Sequence, residues 1–207
     1  MTQPGKEVSV LAQLWGQPRT VVQRVPVVPD YQGDRVRDFF PDRWGEVVMV
    51  VRRAVGGQVW VMTKESFPQG LYSLPTGGIR HGESIVTALR RVQAEEIGLE
   101  TRLQRFLAVI RYELASAVDS CKAVPCFVSY VFLLEEVNGD EPGVAGGSTT
   151  RGFKTAGPKE LLEIAEKWRV LSPSGDEFHK LQARGTFRSL AHQVAGEALI
   201  GEGKLES

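Results

Sequence analysis

The chain has 207 residues, with 25 Lys plus Arg set against 25 Asp plus Glu and 42% hydrophobic residues. This balance gives no long-range field to draw in a nucleic-acid backbone or an anionic membrane surface, and no apolar run of about 18 residues is present to span a bilayer. The length fits one domain with an extension and a substantial core. The opening MTQPGKEVSV lacks the basic-then-apolar order of a signal peptide, so a soluble cytoplasmic protein is expected.

Along the chain, VSVLAQLW (8–15) and TVVQRVPVV (20–28) carry β-type alternation, and DYQGDRVRDFFPDRW reads as a connection anchored by Phe39, Phe40 and Trp44. Residues 1–44 are expected to be an N-terminal extension, a strand or two packed on the same domain. An arm pairing with a second subunit in a homodimer is the alternative. EVVMVVRRA (46–54), VGG and QVWVMTK (58–64) read as a β-hairpin joined by a glycine turn, and LYSLP as a short strand. Gly77 and Gly78 read as a turn-forming pair leading through Gly82 to Glu83, after which SIVTALRRVQAEEI has the composition of a helix closing at Gly98.

Two further strands are expected, RLQRFLAVIRYEL (102–114) and CFVSYVFLLEEV (126–137). Strands before and after one helix imply a mixed sheet, and the order suits an α/β/α sandwich. Asn138 to Gly152 is rich in glycine and turn formers and reads as a surface loop. Pro158 suits a helix start, with Leu161, Leu162, Ile164 and Ala165 as its apolar stripe, and 171–207 read as a helical tail broken near Gly185. Cys121 and Cys126 have no partners at zinc spacing and read as a reduced structural pair.

The helix after Gly78 carries the chemistry. Residues three and four apart share a helix face, so Arg91, Glu95 and position 92 lie together with Glu96 adjoining them. Two neighbouring carboxylates repel, and a hard cation such as Mg2+ turns that repulsion into a binding site, with water and phosphate oxygens completing its octahedron. Arg91 is then the internal counter-charge. An ordinary exposed helix would carry the two glutamates equally well, so their spacing relative to the glycines and Arg91 decides the reading.

The segment from Gly77 to Leu99 resembles the Nudix box: Gly77, Glu83, Arg91, Glu95, Glu96, Gly98 and Leu99 fall in register, and GLYSLPTGG (70–78) resembles the approach to it. The resemblance implies a Nudix domain over 45–170 with the sandwich fold already expected. It also implies Mg2+-dependent cleavage of a pyrophosphate linkage in a nucleoside diphosphate derivative, with Mn2+ as an alternative ion. Glu83, Arg91, Glu95 and Glu96 are its catalytic set, Glu95 and Glu96 its metal ligands, and Gly77 and Gly78 its cofactor-binding glycines. Arg91 would pair with Glu83 and hold the glutamates in place.

Two positions depart from the pattern. Val92 stands where the family has a glutamate that serves as ligand or base, and Gln93 where it has an aliphatic residue. Candidate compensating carboxylates outside the box are Glu113, Asp119, Glu135, Glu136, Asp140 and Glu141, while His81 lies where it could approach a phosphate. The expected partner is a small-molecule nucleotide, with neither nucleic acid nor membrane involved. The opposed reading is a nucleotide-binding or sensor module of Nudix fold with impaired catalysis.

Overall fold

The computed structural model describes residues 4–25, 43–115, 123–143, 149–171 and 178–203. Its elements run α1 (Pro4–Trp15), β1 (Arg19–Val25), β2 (Arg43–Arg52), β3 (Val59–Lys64), β4 (Thr76–Arg80), α2 (Ile85–Glu96), β5 (Thr101–Ala115), β6 (Ala123–Glu136), β7 (Thr150–Ala156), α3 (Pro158–Arg169) and α4 (Phe178–Gly203). The strands form one mixed sheet in the order β1-β5-β6-β2-β3-β7, with β4 paired to β2.

β2 lies inside the sheet, between β6 on one edge and β3 and β4 on the other, a place that its sequence suits. Val47 to Val51 are all fully buried, and a run of apolar, mostly β-branched residues without polar alternation fits a strand covered on both faces. Val47, Met49 and Val51 pack with Leu11 of α1 and with Ile85, Ala88, Leu89 and Val92 of α2. Val48 and Val50 face the opposite layer, which holds Leu161, Ile164 and Trp168 of α3 and Phe187, Ala191 and Val194 of α4. The expected α/β/α sandwich is therefore present. No helix among the described residues is long and apolar enough to cross a membrane.

One edge of β2 pairs in parallel with β6 from Glu46 to Arg52. The other is divided: β4 takes Arg43 to Val48, and β3 meets β2 at Arg52↔Val59. The β2–β3 hairpin turns through Gly56 (φ 85°) and Gly57 (φ 65°), where the left-handed backbone favours glycine.

Several sequence expectations need correction. VSVLAQLW is helical, because Val8, Leu11, Ala12 and Trp15 recur at the spacing of one helix face and pack onto the sheet. TVVQRV does form a strand, parallel to β5 from Arg19↔Ala108 to Val25↔Leu114. LYSLP makes only the single bridge Ser73↔Met62, and the strand begins after it at Thr76. The turn-forming pair Gly77 and Gly78 thus lies within β4. The loop expected to run to Gly152 ends sooner, since Thr150–Ala156 form β7 against β3. α4 continues through Gly185, where an added Cβ would stand 2.8 Å from the Trp168 carbonyl oxygen; the glycine admits α3 rather than breaking the helix. Phe39, Phe40, Asp119 and Cys121 lie outside the described residues, as does the side chain of Cys126.

The layer opposite α2 fixes the approach to β4. Trp168 Nε1 donates to the Tyr72 carbonyl at 2.7 Å, Arg188 Nη1 to Ser73 Oγ at 2.6 Å, and the Leu74 N–H to His192 Nε2 at 2.8 Å. Because Nε2 accepts, the proton of the neutral ring sits on Nδ1 and is donated to the Arg188 carbonyl at 2.6 Å. Burial lowers the His192 pKa to about 4. The folded state therefore binds fewer protons than the unfolded chain below pH 6.5, so this residue's contribution is complete above that value and declines as pH falls toward 4.

His192→Ala should remove about 2 to 3 kcal/mol of stability at pH 7.5 by leaving the Leu74 N–H unpaired. The gap from the wild type should narrow by about 2 kcal/mol at pH 4.5. Urea unfolding of both chains at the two pH values reads this, and a pH-independent gap would contradict it.

Candidate functional site

α2 starts and stops where its residues dictate. Ser84 caps it, with Oγ accepting from the Thr87 N–H at 3.1 Å. At its other end the N–H groups of Ile97 and Gly98 both turn back to the Gln93 carbonyl, and Gly98 takes φ 63°. A Cβ on Gly98 would meet the Gly143 carbonyl oxygen at 2.4 Å, and the Gly143 N–H donates to the Ile97 carbonyl at 3.0 Å. The first part of the expected loop, 138–143, is thus pinned to the end of α2; residues 144–148 are not among those described. The Gln93 amide donates to the Leu99 carbonyl at 2.8 Å, closing the same turn.

Arg91 organises the site. Its Nε and Nη2 donate to the two oxygens of Glu83, each at 2.8 Å; Nη2 also reaches the Gly78 carbonyl at 2.7 Å, and Nη1 reaches Glu95 at 2.8 Å. The planar guanidinium thereby joins the turn before α2, the strand β4 and the last turn of α2, which a point-charge ammonium could not do. The expected Arg91–Glu83 pairing is present. This hydrogen bonding holds the Glu83 carboxyl below its usual range and raises the Arg91 pKa. Glu83 also accepts from the Arg80 N–H at 3.0 Å.

The two remaining box glutamates diverge. Glu95 is half exposed, bonded to Arg91 and 3.8 Å from Arg80 Nη2. Glu96 turns toward β3, where Lys64 Nζ donates to its Oε1 at 2.7 Å; its Oε2 is buried and has no hydrogen-bond partner. Lys64 is the residue that sequence reasoning missed. It lies thirty-two positions before Glu96, and nothing in a strand ending in Thr63-Lys64 announces that pairing.

Val92 is fully buried in the core formed by α1, α2 and the sheet. A Cβ added at Gly77 would lie 2.3 and 2.8 Å from its two methyl carbons, and one at Gly78 would lie 2.4 Å from Arg43 Cδ. These glycines are thus required for close approach inside a strand rather than for a turn. The position where a third carboxylate would stand is filled by a hydrocarbon that closes on β4.

The other expected residues do not gather here. Glu136 is buried at the far end of β6, accepting from Trp60 Nε1 at 2.8 Å and the Ala54 N–H at 3.1 Å. Glu135 accepts from Gln104, and Asp140, Glu141 and His81 are exposed. Glu113 lies on β5, in register with Arg24 of β1. Glu46, absent from the expected set, lies opposite Gly78; burial raises its carboxyl pKa, and Ser129 Oγ donates to it at 2.6 Å.

Among the described residues no three His, Cys, Asp or Glu side chains form a group that could hold a metal ion. The donor set agrees: every box glutamate bonds to an arginine or lysine, leaving Glu96 Oε2 as the uncommitted buried oxygen. Mg2+ is held through one or two carboxylates together with waters and substrate phosphates, so it asks for a carboxylate that no cation of the chain already engages. As folded, these residues do not fit it.

The family model for the NUDIX domain matches residues 43–173. Solved structures similar to the chain include a Caenorhabditis elegans Ap4A hydrolase in a binary complex, at 16% identity over 70% of this chain and 96% of that one, TM-score 0.45. An Escherichia coli dihydroneopterin triphosphate pyrophosphohydrolase matches at 16% identity over 69% and 94%, TM-score 0.43. The NUDIX domain of Shewanella oneidensis NrtR, complexed with ADP ribose, matches at 15% identity over 76% and 94%, TM-score 0.42. Comparison by sequence with curated proteins gives no match.

Gly77→Ala should destabilise the chain by about 1 to 3 kcal/mol through the clash with Val92. In a Val92→Ala background the same change should cost at least about 1 kcal/mol less, a coupling read from a four-chain urea-unfolding cycle. Additive effects would show that the two residues do not meet.

Proposed function

The chain belongs to the Nudix family, and on that premise we propose that it binds a pyrophosphate-linked nucleoside derivative through the box region without hydrolysing it at a family rate. The observation that carries this reading is Val92, wholly buried against Gly77 at the position of a ligand carboxylate. Without that carboxylate, and with the others engaged by Arg91 and Lys64, the site lacks the concentrated negative charge that draws in a divalent ion. Transition-state stabilisation of the kind such an ion supplies amounts to several kcal/mol in comparable reactions.

Binding has the means it needs. Arg80, at the end of β4, keeps 64% of its side chain exposed beside Glu95, and exposed His81 follows it. Cationic and imidazole groups next to a rigid helix start suit a phosphate chain. The balanced total charge supports a small nucleotide rather than nucleic acid as partner. Nothing in this reading requires a second subunit.

A second reading, Mg2+- or Mn2+-dependent hydrolysis, is favoured by the unpartnered Oε2 of Glu96, a buried carboxylate oxygen left free to meet an ion. The two part in one experiment. Nucleoside diphosphate sugars, dinucleoside polyphosphates and nucleoside triphosphates are titrated calorimetrically and, in parallel, incubated with Mg2+ or Mn2+ while released phosphate is followed after phosphatase coupling. Binding of at least one class should weaken five- to tenfold in Arg80→Ala, and release should not exceed that of Glu96→Gln. Metal-dependent release that disappears in Glu96→Gln would establish the hydrolase instead.

A further inference from the structure

Lys64 closes β3, and Glu96 closes α2. Their side chains are only 17% and 18% exposed, and the ammonium lies 2.7 Å from Oε1. A carboxylate so enclosed needs a cation, because desolvation penalises its charge unless a partner compensates it. In a site built for a divalent ion the carboxylates stand together and repel until the ion arrives. Here that repulsion is already relieved within the chain: Arg91 serves Glu83 and Glu95, Lys64 serves Glu96, and Val92 brings no charge at all.

We propose that Lys64 is the resident cation of the box, standing at Glu96 in place of a divalent ion and closing the site to Mg2+ and Mn2+. The inference rests on the non-hydrolytic reading above and deepens it by naming the residue that excludes the metal. A lysine suits the role: its ammonium is a compact point charge, whereas the flat fork of an arginine is suited to the bidentate contact that Arg91 already makes.

The test uses Mn2+ alone, measured by the electron paramagnetic resonance of the free ion, together with thermal unfolding of metal-free protein. Wild type and Glu96→Gln should bind Mn2+ equally weakly. Lys64→Met should bind at least tenfold more tightly, and the double change Lys64→Met/Glu96→Gln should return to the wild-type value. In metal-free protein Glu96→Gln should lower Tm, because it strands the Lys64 ammonium; a carboxylate reserved for a metal would raise Tm when neutralised, by relieving repulsion. A folded Lys64→Met with wild-type Mn2+ affinity overturns the proposal, as does a rise in Tm for Glu96→Gln. Should Lys64→Met not fold, the two readouts on Glu96→Gln decide. Mn2+ binding by the wild type that Glu96→Gln abolishes would remove the non-hydrolytic reading as well, whereas a metal-free wild type and an unresponsive Lys64→Met would remove the role of Lys64 alone.

Discussion

The site depends on a single guanidinium. Arg91 has five N–H donors in a fixed plane, and the structure uses that plane to bind Glu83 before the helix, Gly78 on the strand and Glu95 on the helix. Each partner belongs to a different stretch of chain, so the orientation of β4 relative to α2 is set by one rigid group. The close fit of Val92 over Gly77 supports the same arrangement from the core side. A polar clasp at the rim and an apolar contact beneath it hold the β4–α2 unit together from both faces.

That double fastening accounts for the sequence signature without reference to its chemistry. The glycines and the Glu83–Arg91 pair are justified by packing and hydrogen bonding alone, with no ligand in view. The presence of these residues is therefore evidence for the geometry of the unit and says less about what the unit does. The chemistry depends on the residues they leave free to act, and here Glu95 and Glu96 point to different partners, one shared with Arg80 and the other taken by Lys64.

The parts legible in the sequence were those governed by local rules. The box helix, its glycine terminus, the valine-rich central strand and the Pro158 helix start all follow from short-range pattern, and all are found. What escaped was long-range. VSVLAQLW alternates well enough to read as a strand while Val8, Leu11, Ala12 and Trp15 also stand at helix-face spacing, and the sheet face that α1 covers decides between the two periods. TRGFKTA has little strand character of its own and becomes β7 because β3 offers an open edge. Gly77 and Gly78 were expected in a turn because glycine usually marks one; in this chain they answer to crowding by Val92 and Arg43. The Lys64–Glu96 contact is the same kind of fact, a pairing made by the sheet rather than by spacing.

The placement of β1 governs the order in which this molecule can be assembled. Its only pairing among the described residues is parallel to β5, with Arg19 set against Ala108, so β1 has no sheet neighbour until the whole box and β5 have followed it. Closing so long a loop is entropically slow compared with zipping the β5–β6 pair. The β5–β6 hairpin is therefore expected to form before β1 joins it, and before β2, whose parallel pairing with β6 (Glu46↔Ser129) closes a loop of similar length. Until β5 has been made, β1 is a strand with both edges unpaired, a period in which a chaperone, or the β5 of another copy, competes for it.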